Sequence, residues 1–514
     1  MATYKETAKK IVKEAISSAI YIDENALEPF EEPIEPGLDE VNRSIMLYNS
    51  FKKESISLSI LKYTVENYNN NNGYIFKNRD LILLDWELEG AGQGGEKALD
   101  ILSEIVCHQH HIHFCAIYTA EQNKDSVLKN IISYFSNTTR SEFDDFKLEL
   151  ESDQNVIDAV PRFKHLILHR DSESKRMIFQ LGITNEISTI HNTIDADDKL
   201  CSLIKCAIAF DDNTFKSNTK LPCPQFFDPN TYTLVIENAI IQIINKQETS
   251  PDKLVDLLSD NISNYKWGIM QLLGLEMQNI SRKKSSFVSP DVLQVSKNTL
   301  AYHKKNHGEE FQSFIKNILI EQNAASLINE NLSLVETIEE EDKCDSNTEL
   351  IAMNVFYNTI HLNCNKNISF GDIFKCEEDY FICITALCDC IRPNEKINNT
   401  FFFAKGKLIK PSKILNIAET GFVSFLDEKN AVIWDSNNGD DGKVSYIKPI
   451  CFTIPNNLIE DRKIKAFQLD KTGNRIECDF QYITTIKQNY AQRIANHAFA
   501  YPIRVGVDFV KIVN

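Results

Sequence analysis

Carboxylates stand where apolar runs stop. Leu81-Ile82-Leu83-Leu84 ends on Asp85, and Ala19-Ile20-Tyr21-Ile22 ends on the pair Asp23-Glu24. An unbroken apolar run of this length has the pattern of a strand buried on both faces of a parallel sheet. In open α/β sheets ligands bind just outside the carboxyl ends of such strands. Phe114-Cys115-Ala116-Ile117-Tyr118 ends on Thr119, and His165-Leu166-Ile167-Leu168 ends on His169-Arg170. A carboxylate pair beside a third carboxylate suits Mg²⁺, a hard cation that takes oxygens and keeps waters. The metal would neutralise charge so that Asp85 attacks a phosphoryl group in line. Thr119 would donate a hydrogen bond to a phosphoryl oxygen, and His169 or Arg170 would balance its charge. The plainer readings are a strand-end Asp85 that caps the next turn and an acidic loop at Asp23-Glu24, continuous with the Glu- and Pro-rich stretch over residues 26–42.

Helical and strand periods alternate around these residues. Ala8, Ile11, Val12, Ala15 and Ile16 share a helical face within residues 5–17, and residues 55–63 begin with the alternation of a half-buried strand. Asn69 to Gly73 reads as a polar loop. Gly90-Ala91-Gly92-Gln93-Gly94-Gly95, after Asp85, lets backbone approach a ligand closely. It lacks the Lys and Ser/Thr of a P-loop, which argues against nucleotide hydrolysis. Ala98 to Val106 and Val127 to Ile132 read as helices. The alternation predicts a flavodoxin-like, doubly wound parallel α/β sheet over residues 1–185. Leu200 to Ala207, Leu234 to Ile243, Leu254 to Leu258 and Trp267 to Leu273 then show helical spacing, predicting a helical domain over 186–340. The acidic run Glu336 to Asp345 reads as a linker. Short apolar runs such as Phe381 to Thr385, Phe401 to Phe403 and Ala431 to Trp434, with turn residues at 435–439, predict a mainly β domain over 350–514 with a late helix near Tyr490 to Ala498.

The net charge of −18 over 514 residues argues against a nucleic-acid-coating surface. No apolar stretch reaches the roughly 20 residues that span a bilayer. The N-terminus enters a charged amphipathic segment, so a cytoplasmic protein without a membrane partner is expected. Thirteen scattered cysteines fit reduced core thiols better than a disulfide framework. Cys107-His108-Gln109-His110-His111-Ile112-His113 sits where a polar loop is expected, and imidazoles this close do not readily share one tetrahedral site. Cys383, Cys388, Asp389 and Cys390 lack a His at a diagnostic spacing, so an enzyme built on Cys388 is the weakest reading.

Ile22-Asp23-Glu24-Asn25, Leu83-Leu84-Asp85 with its glycines, and Tyr118-Thr119-Ala120 come in an order that resembles the receiver domain of two-component response regulators, over roughly residues 1–185. The resemblance implies phosphorylation of Asp85 by a sensor histidine kinase, with no enzyme activity beyond receiver chemistry. It makes Asp23, Glu24, Asp85 and the carbonyl of Glu87 the Mg²⁺ ligands, and Thr119 the switch hydroxyl. Two departures stand out. Asp23 and Asp85 lie far apart in the chain, which requires an insertion, and the family's fifth-strand lysine has no clean match: Lys164 begins the run 165–168, and His169 and Arg170 stand nearest its end. Leu275-Glu276-Met277, Gly371-Asp372-Ile373-Phe374 and Thr385-Ala386-Leu387-Cys388-Asp389 are similar to divergent receiver proteins with no recognisable output domain, of the kind that act as phosphate sinks in Detocs-type anti-phage systems. That resemblance implies a second partner, an effector-bearing response regulator served by the same kinase. A degenerate receiver that serves as an interaction scaffold is the alternative.

Overall fold

The computed structural model describes residues 3–29, 39–109, 111–168, 178, 180–194, 196, 198–263, 268–283, 290–307, 311–339, 346–360, 365–417, 422–434, 447–469 and 473–500. The chain forms two compact units, one of residues 1–289 with 321–338 and one of residues 290–320 with 339–514.

The first unit is built on one sheet. Its strands are β1 (Ser18–Asp23), β2 (Ser57–Lys62), β3 (Leu81–Leu84), β4 (His113–Thr119), β5 (Phe226–Asp228), β6 (Thr233–Ile236) and β7 (Ala239–Asn245), in the order β2-β1-β3-β4-β7-β6-β5. The pairings β1–β2, β1–β3, β3–β4 and β4–β7 are parallel. Hairpin β5–β6 extends the far side antiparallel. β3, β4 and β7 are buried along their whole length, as expected for central strands covered on both faces. The order turns around at β1, so a crevice opens at the carboxyl ends of β1 and β3.

Helix α1 (Tyr4–Ala15) starts with a Thr3–Glu6 capping box and buries Ala8, Ile11, Val12 and Ala15. Helix α2 (Asp39–Lys53) follows β1, and α3 (Val65–Ile75) occupies the stretch expected to be a polar loop. Thr64 caps α3, and the periodicity that counts is Tyr68 and Ile75, both buried in the core. Helix α4 (Gly95–His108) lies between β3 and β4, and α5 (Lys124–Tyr134) follows β4.

Two expectations fail between residues 140 and 245. Residues 164–168 form a 3₁₀ turn, not a fifth strand. It continues directly from the helix Gln154–Phe163 and buries Leu166 and Ile167 among helices. A short apolar run does not by itself distinguish a strand from a buried helical turn. Conversely, Leu234 to Ile243, read as helical, are the strands β6 and β7, separated at Glu237 with φ +52°. The fifth parallel strand is therefore β7, and the sheet runs well beyond residue 185. Helices Arg140–Leu150, Gln154–Phe163, Thr184–Thr193 and Lys199–Ala209 fill the chain between β4 and the β5–β6 hairpin. After β7 come the helices Leu254–Ser263 and Ile269–Lys283. Glu276 of the latter is buried and accepts hydrogen bonds from the Ser333 and Leu334 backbone, so residues 321–338 return to this unit.

In the second unit the strands Asp372–Cys376, Asp379–Cys383, Thr400–Ile409, Pro449–Thr453, Lys463–Leu469 and Arg475–Ile486 pair antiparallel around a closed ring, forming a barrel. Phe374, Phe381, Phe403, Phe452 and Phe480 meet in its interior in stacked and edge-to-face pairs. The late helix runs from Gln488 to Ala500. Among the described residues, no helix is long and apolar enough to cross a membrane.

Candidate functional site

Parallel registration brings Asp23, Asp85 and Thr119 to the same end of the sheet. Ile22 lies opposite Leu84, and Leu84 opposite Ile117, so Asp85 and the last residues of β1 and β4 emerge side by side. The Asp85 N–H donates to Ile22 O at 3.0 Å, which joins the chain after β3 to β1. β4 and β7 are equally in step, with Thr119 opposite Asn245. The next residue, Lys246, donates its N–H to Thr119 O at 2.7 Å.

The Lys246 side chain turns into the crevice. Its Nζ donates to Asp23 Oδ2 at 2.5 Å and to Asp85 Oδ2 at 2.7 Å, and all three side chains are almost fully buried. The rings of Tyr21 and Tyr118 lie 5.9 and 6.0 Å from the ammonium. Asp23 Oδ2 also accepts from the Tyr21 hydroxyl at 2.5 Å, and Oδ1 from the Asn25 N–H at 2.7 Å. Asp85 Oδ1 accepts from the Trp86 N–H at 2.8 Å.

The electrostatics separate the two carboxylates. Burial, with the Asp23 charge beside it, pushes Asp85 up to about 7 against the pull of Lys246. Burial also raises Asp23, but Lys246, the Tyr21 hydroxyl and the Asn25 N–H outweigh it and hold Asp23 below its ordinary value. Burial lowers Lys246, yet the two carboxylates more than compensate and its pKa rises. At neutral pH the crevice thus holds an ionised Asp23, a cation, and an Asp85 poised between its two forms.

Glu24 accepts the Gly90 N–H at 2.8 Å, and burial raises its pKa. The Glu87 carboxylate accepts the Gly92 N–H at 2.5 Å, and its carbonyl accepts the Gly90 N–H at 3.4 Å. Thr119 is buried, and its Oγ1 accepts the Glu121 N–H at 3.0 Å. Close packing accounts for the last two glycines of the run, while Gly90 and Gly92 have open space where a Cβ would stand but take positive φ. A Cβ on Gly94, at φ +95°, would lie 2.6 Å from the backbone nitrogens of Leu88 and Glu89, and one on Gly95 would press on the Trp86 ring. His169 and Arg170 lie outside the described residues, and the run that led to them is not a strand. The cation in the crevice is Lys246. Sequence reasoning missed it because Ile236, Ala239, Ile240 and Ile243 also fit a helical stripe. The usable signal was the short isoleucine-rich run Ile240-Ile241-Gln242-Ile243-Ile244, interrupted only by Gln242 and set between Asn238 and Asn245.

Residues 15–166 match the family model of the response receiver domain. The chain carries a receiver domain. β7 and Lys246 lie beyond the matched stretch, yet they complete its parallel sheet and its crevice. No curated protein and no solved structure matches the chain.

The donors at the crevice are carboxylates and a carbonyl, the oxygen set that Mg²⁺ takes. Among the described residues, no group of three or more His, Cys, Asp or Glu side chains is already gathered at metal-binding distance. Glu24 and Glu87 are turned onto the glycine backbone, and Lys246 joins Asp23 to Asp85. In the histidine-rich stretch, a His111 ring nitrogen lies 3.1 Å from Arg79 O and one of His113 lies 2.8 Å from His111 O. Burial pushes His113 down to about 4. Cys388 is exposed, while Cys383 and Cys390 are buried.

Proposed function

We propose that this chain is a response-regulator-like protein that accepts a phosphoryl group on Asp85 from a sensor histidine kinase. The observation that carries the reading is the buried triad of Asp23, Asp85 and Lys246 at the ends of three parallel strands. Asp85 is the nucleophile. Its Oδ2 is held by Lys246 and its Oδ1 by the Trp86 N–H, which fixes the carboxylate plane. The Lys246 ammonium stands where it can neutralise an incoming phosphoryl oxygen, and its flexible stem allows it to follow that oxygen. Mg²⁺, when bound, would offset the negative charge gathered between the phosphoryl group and the carboxylates. Asp23, Glu24, Asp85 and the Glu87 carbonyl are the oxygens to hold it. The Thr119 hydroxyl, at the end of β4, is the hydrogen-bond donor for a phosphoryl oxygen.

The role we assign is a phosphate sink: the chain draws phosphoryl groups from a kinase that also serves an effector-bearing regulator, in a cytoplasmic defence pathway of the Detocs type. The motif resemblance beyond residue 270 supports this part. Incubation with the phosphorylated kinase and Mg²⁺ tests phosphoryl acceptance, and adding the effector-bearing regulator tests the sink, since wild type but not Asp85→Asn should draw label away from it. Label is expected on the wild type and lost in Asp85→Asn. Equal labelling of the two would sink the assignment of Asp85, and an unlabelled wild type that still co-purifies with a partner would favour the scaffold reading.

A further inference from the structure

Helix α2 presents one inward face. From Asn42 to Lys53, Ser44, Leu47, Ser50 and Phe51 are buried and Arg43 is half-buried, while their neighbours are exposed. Leu47 and Phe51 pack in one cluster with Tyr21, Leu83, Tyr118 and Ile244. Asp23, Asp85 and Lys246 follow Tyr21, Leu83 and Ile244 by two residues, so they project on that same side of the sheet. α2 starts after the carboxyl end of β1 and leads back to the start of β2. Its first turns therefore stand at the crevice end, where the Leu27 N–H donates to Ser44 Oγ at 3.1 Å. Arg43, one turn before Leu47, is the member of the inward face at that level.

The guanidinium carbon of Arg43 lies 6.0 Å from the centre of the Tyr118 ring, the same distance as the Lys246 ammonium. Tyr118 packs edge-on against Tyr21, centroids 6.4 Å apart, and the Tyr21 hydroxyl donates to Asp23. The field of Arg43 reaches that hydroxyl: burial and the Asp23 charge push Tyr21 well above its ordinary value, and Arg43 pulls the other way. A second cation thus stands on the same aromatic wall as Lys246. Lys246 is already shared between two carboxylates, and a phosphoryl group on Asp85 adds further negative charge to the crevice. A guanidinium offers a planar fork of donors that matches phosphoryl oxygens two at a time.

We propose that Arg43 is a second phosphoryl-binding residue, whose guanidinium swings from the Tyr118 ring onto the phosphoryl oxygens as Asp85 is modified. The inference rests on the reading of Asp85 as the phosphoryl acceptor. In the transfer an ionised Asp85 oxygen bonds to phosphorus while the P–N bond of the donor breaks. The bonding pair stays on the donor nitrogen, which takes a proton from water, and Arg43 stabilises the charge on the phosphoryl oxygens. The test uses the full chain with Mg²⁺ and phosphoramidate, a small P–N donor, and follows the phosphorylated fraction by intact-mass spectrometry. Arg43→Ala should be phosphorylated more slowly than the wild type by about tenfold or more, the value of a lost hydrogen bond to a charged group. Guanidinium chloride at low millimolar concentration should restore part of that rate, and equal sodium chloride should not. Thermal melts check folding; if Arg43→Ala does not fold, Arg43→Gln carries the rate comparison, with Arg43→Lys expected between it and the wild type. An undiminished rate in the variant, a slow Arg43→Ala that guanidinium leaves unchanged, or an Arg43→Lys no faster than Arg43→Gln would overturn the role of Arg43 and leave phosphoryl acceptance by Asp85 standing. A wild-type chain that takes up no phosphoryl group would overturn both.

Discussion

At the scale of single residues, the crevice is a balance of charges buried together. Lys246 lies between two carboxylates with almost no exposed surface, so removing it leaves buried negative charge without a partner. Breaking a buried pair in this way costs about 3–5 kcal/mol. Lys246→Met should lower stability by about 3 kcal/mol in urea unfolding at neutral pH, and adding Asp85→Asn should restore part of the loss. Asp85 also sets a pH dependence. Its folded pKa, about 7, lies above the ordinary carboxylate range, so the folded chain keeps a proton that the unfolded chain has already released. The stability this contributes is complete in acid and is lost as pH rises through about 7. Asp23, held low, and Lys246, held high, titrate outside that window. Wild-type stability should therefore fall relative to Asp85→Asn between pH 5 and pH 7.5 in paired urea titrations, and parallel curves would contradict the assignment.

At the scale of elements, the turn from β3 into α4 fixes where Asp85 points. Gly94 takes φ +95° at the start of α4, with the Leu88 and Glu89 backbone against its open side. A methyl group there meets backbone nitrogen as well as an unfavourable φ, and backbone positions of this kind store about 1–3 kcal/mol when forced. Gly94→Ala is expected to destabilise the chain by at least about 2 kcal/mol in thermal or urea unfolding. Gly92, at φ +74° with nothing near its Cβ position, should be the milder site for the same change.

At the scale of the whole molecule, the first unit is discontinuous in sequence. Its fifth parallel strand, β7, arrives only after the helices that follow α5, and residues 321–338 return to it through Glu276. A fragment ending at residue 185 lacks β7 and Lys246, and exposes the β4 edge with the fully buried side chains of a central strand. That fragment should aggregate or lack cooperative unfolding by circular dichroism, whereas residues 1–338 should melt cooperatively.

The sequence by itself determined the strand-end residues. Asp23, Asp85 and Thr119 follow apolar runs that are buried on both faces of a parallel sheet, and that local pattern fixes both the strand and the end at which its last residue emerges. Two strands of the barrel, Asp379–Cys383 and Thr400–Ile409, were legible as short apolar runs between turn residues. What only the tertiary structure decided is the cation. Lys246 follows a run whose spacing fits a helix stripe and a buried strand alike, and it reaches Asp23 across 223 residues of chain. Local periodicity cannot choose between those states; pairing with β4 can, because only the extended form satisfies both backbones at the centre of the sheet. The Tyr21 contact was hidden in the same way, since a tyrosine in an apolar run reads as core until the carboxylate two residues on turns back to meet it.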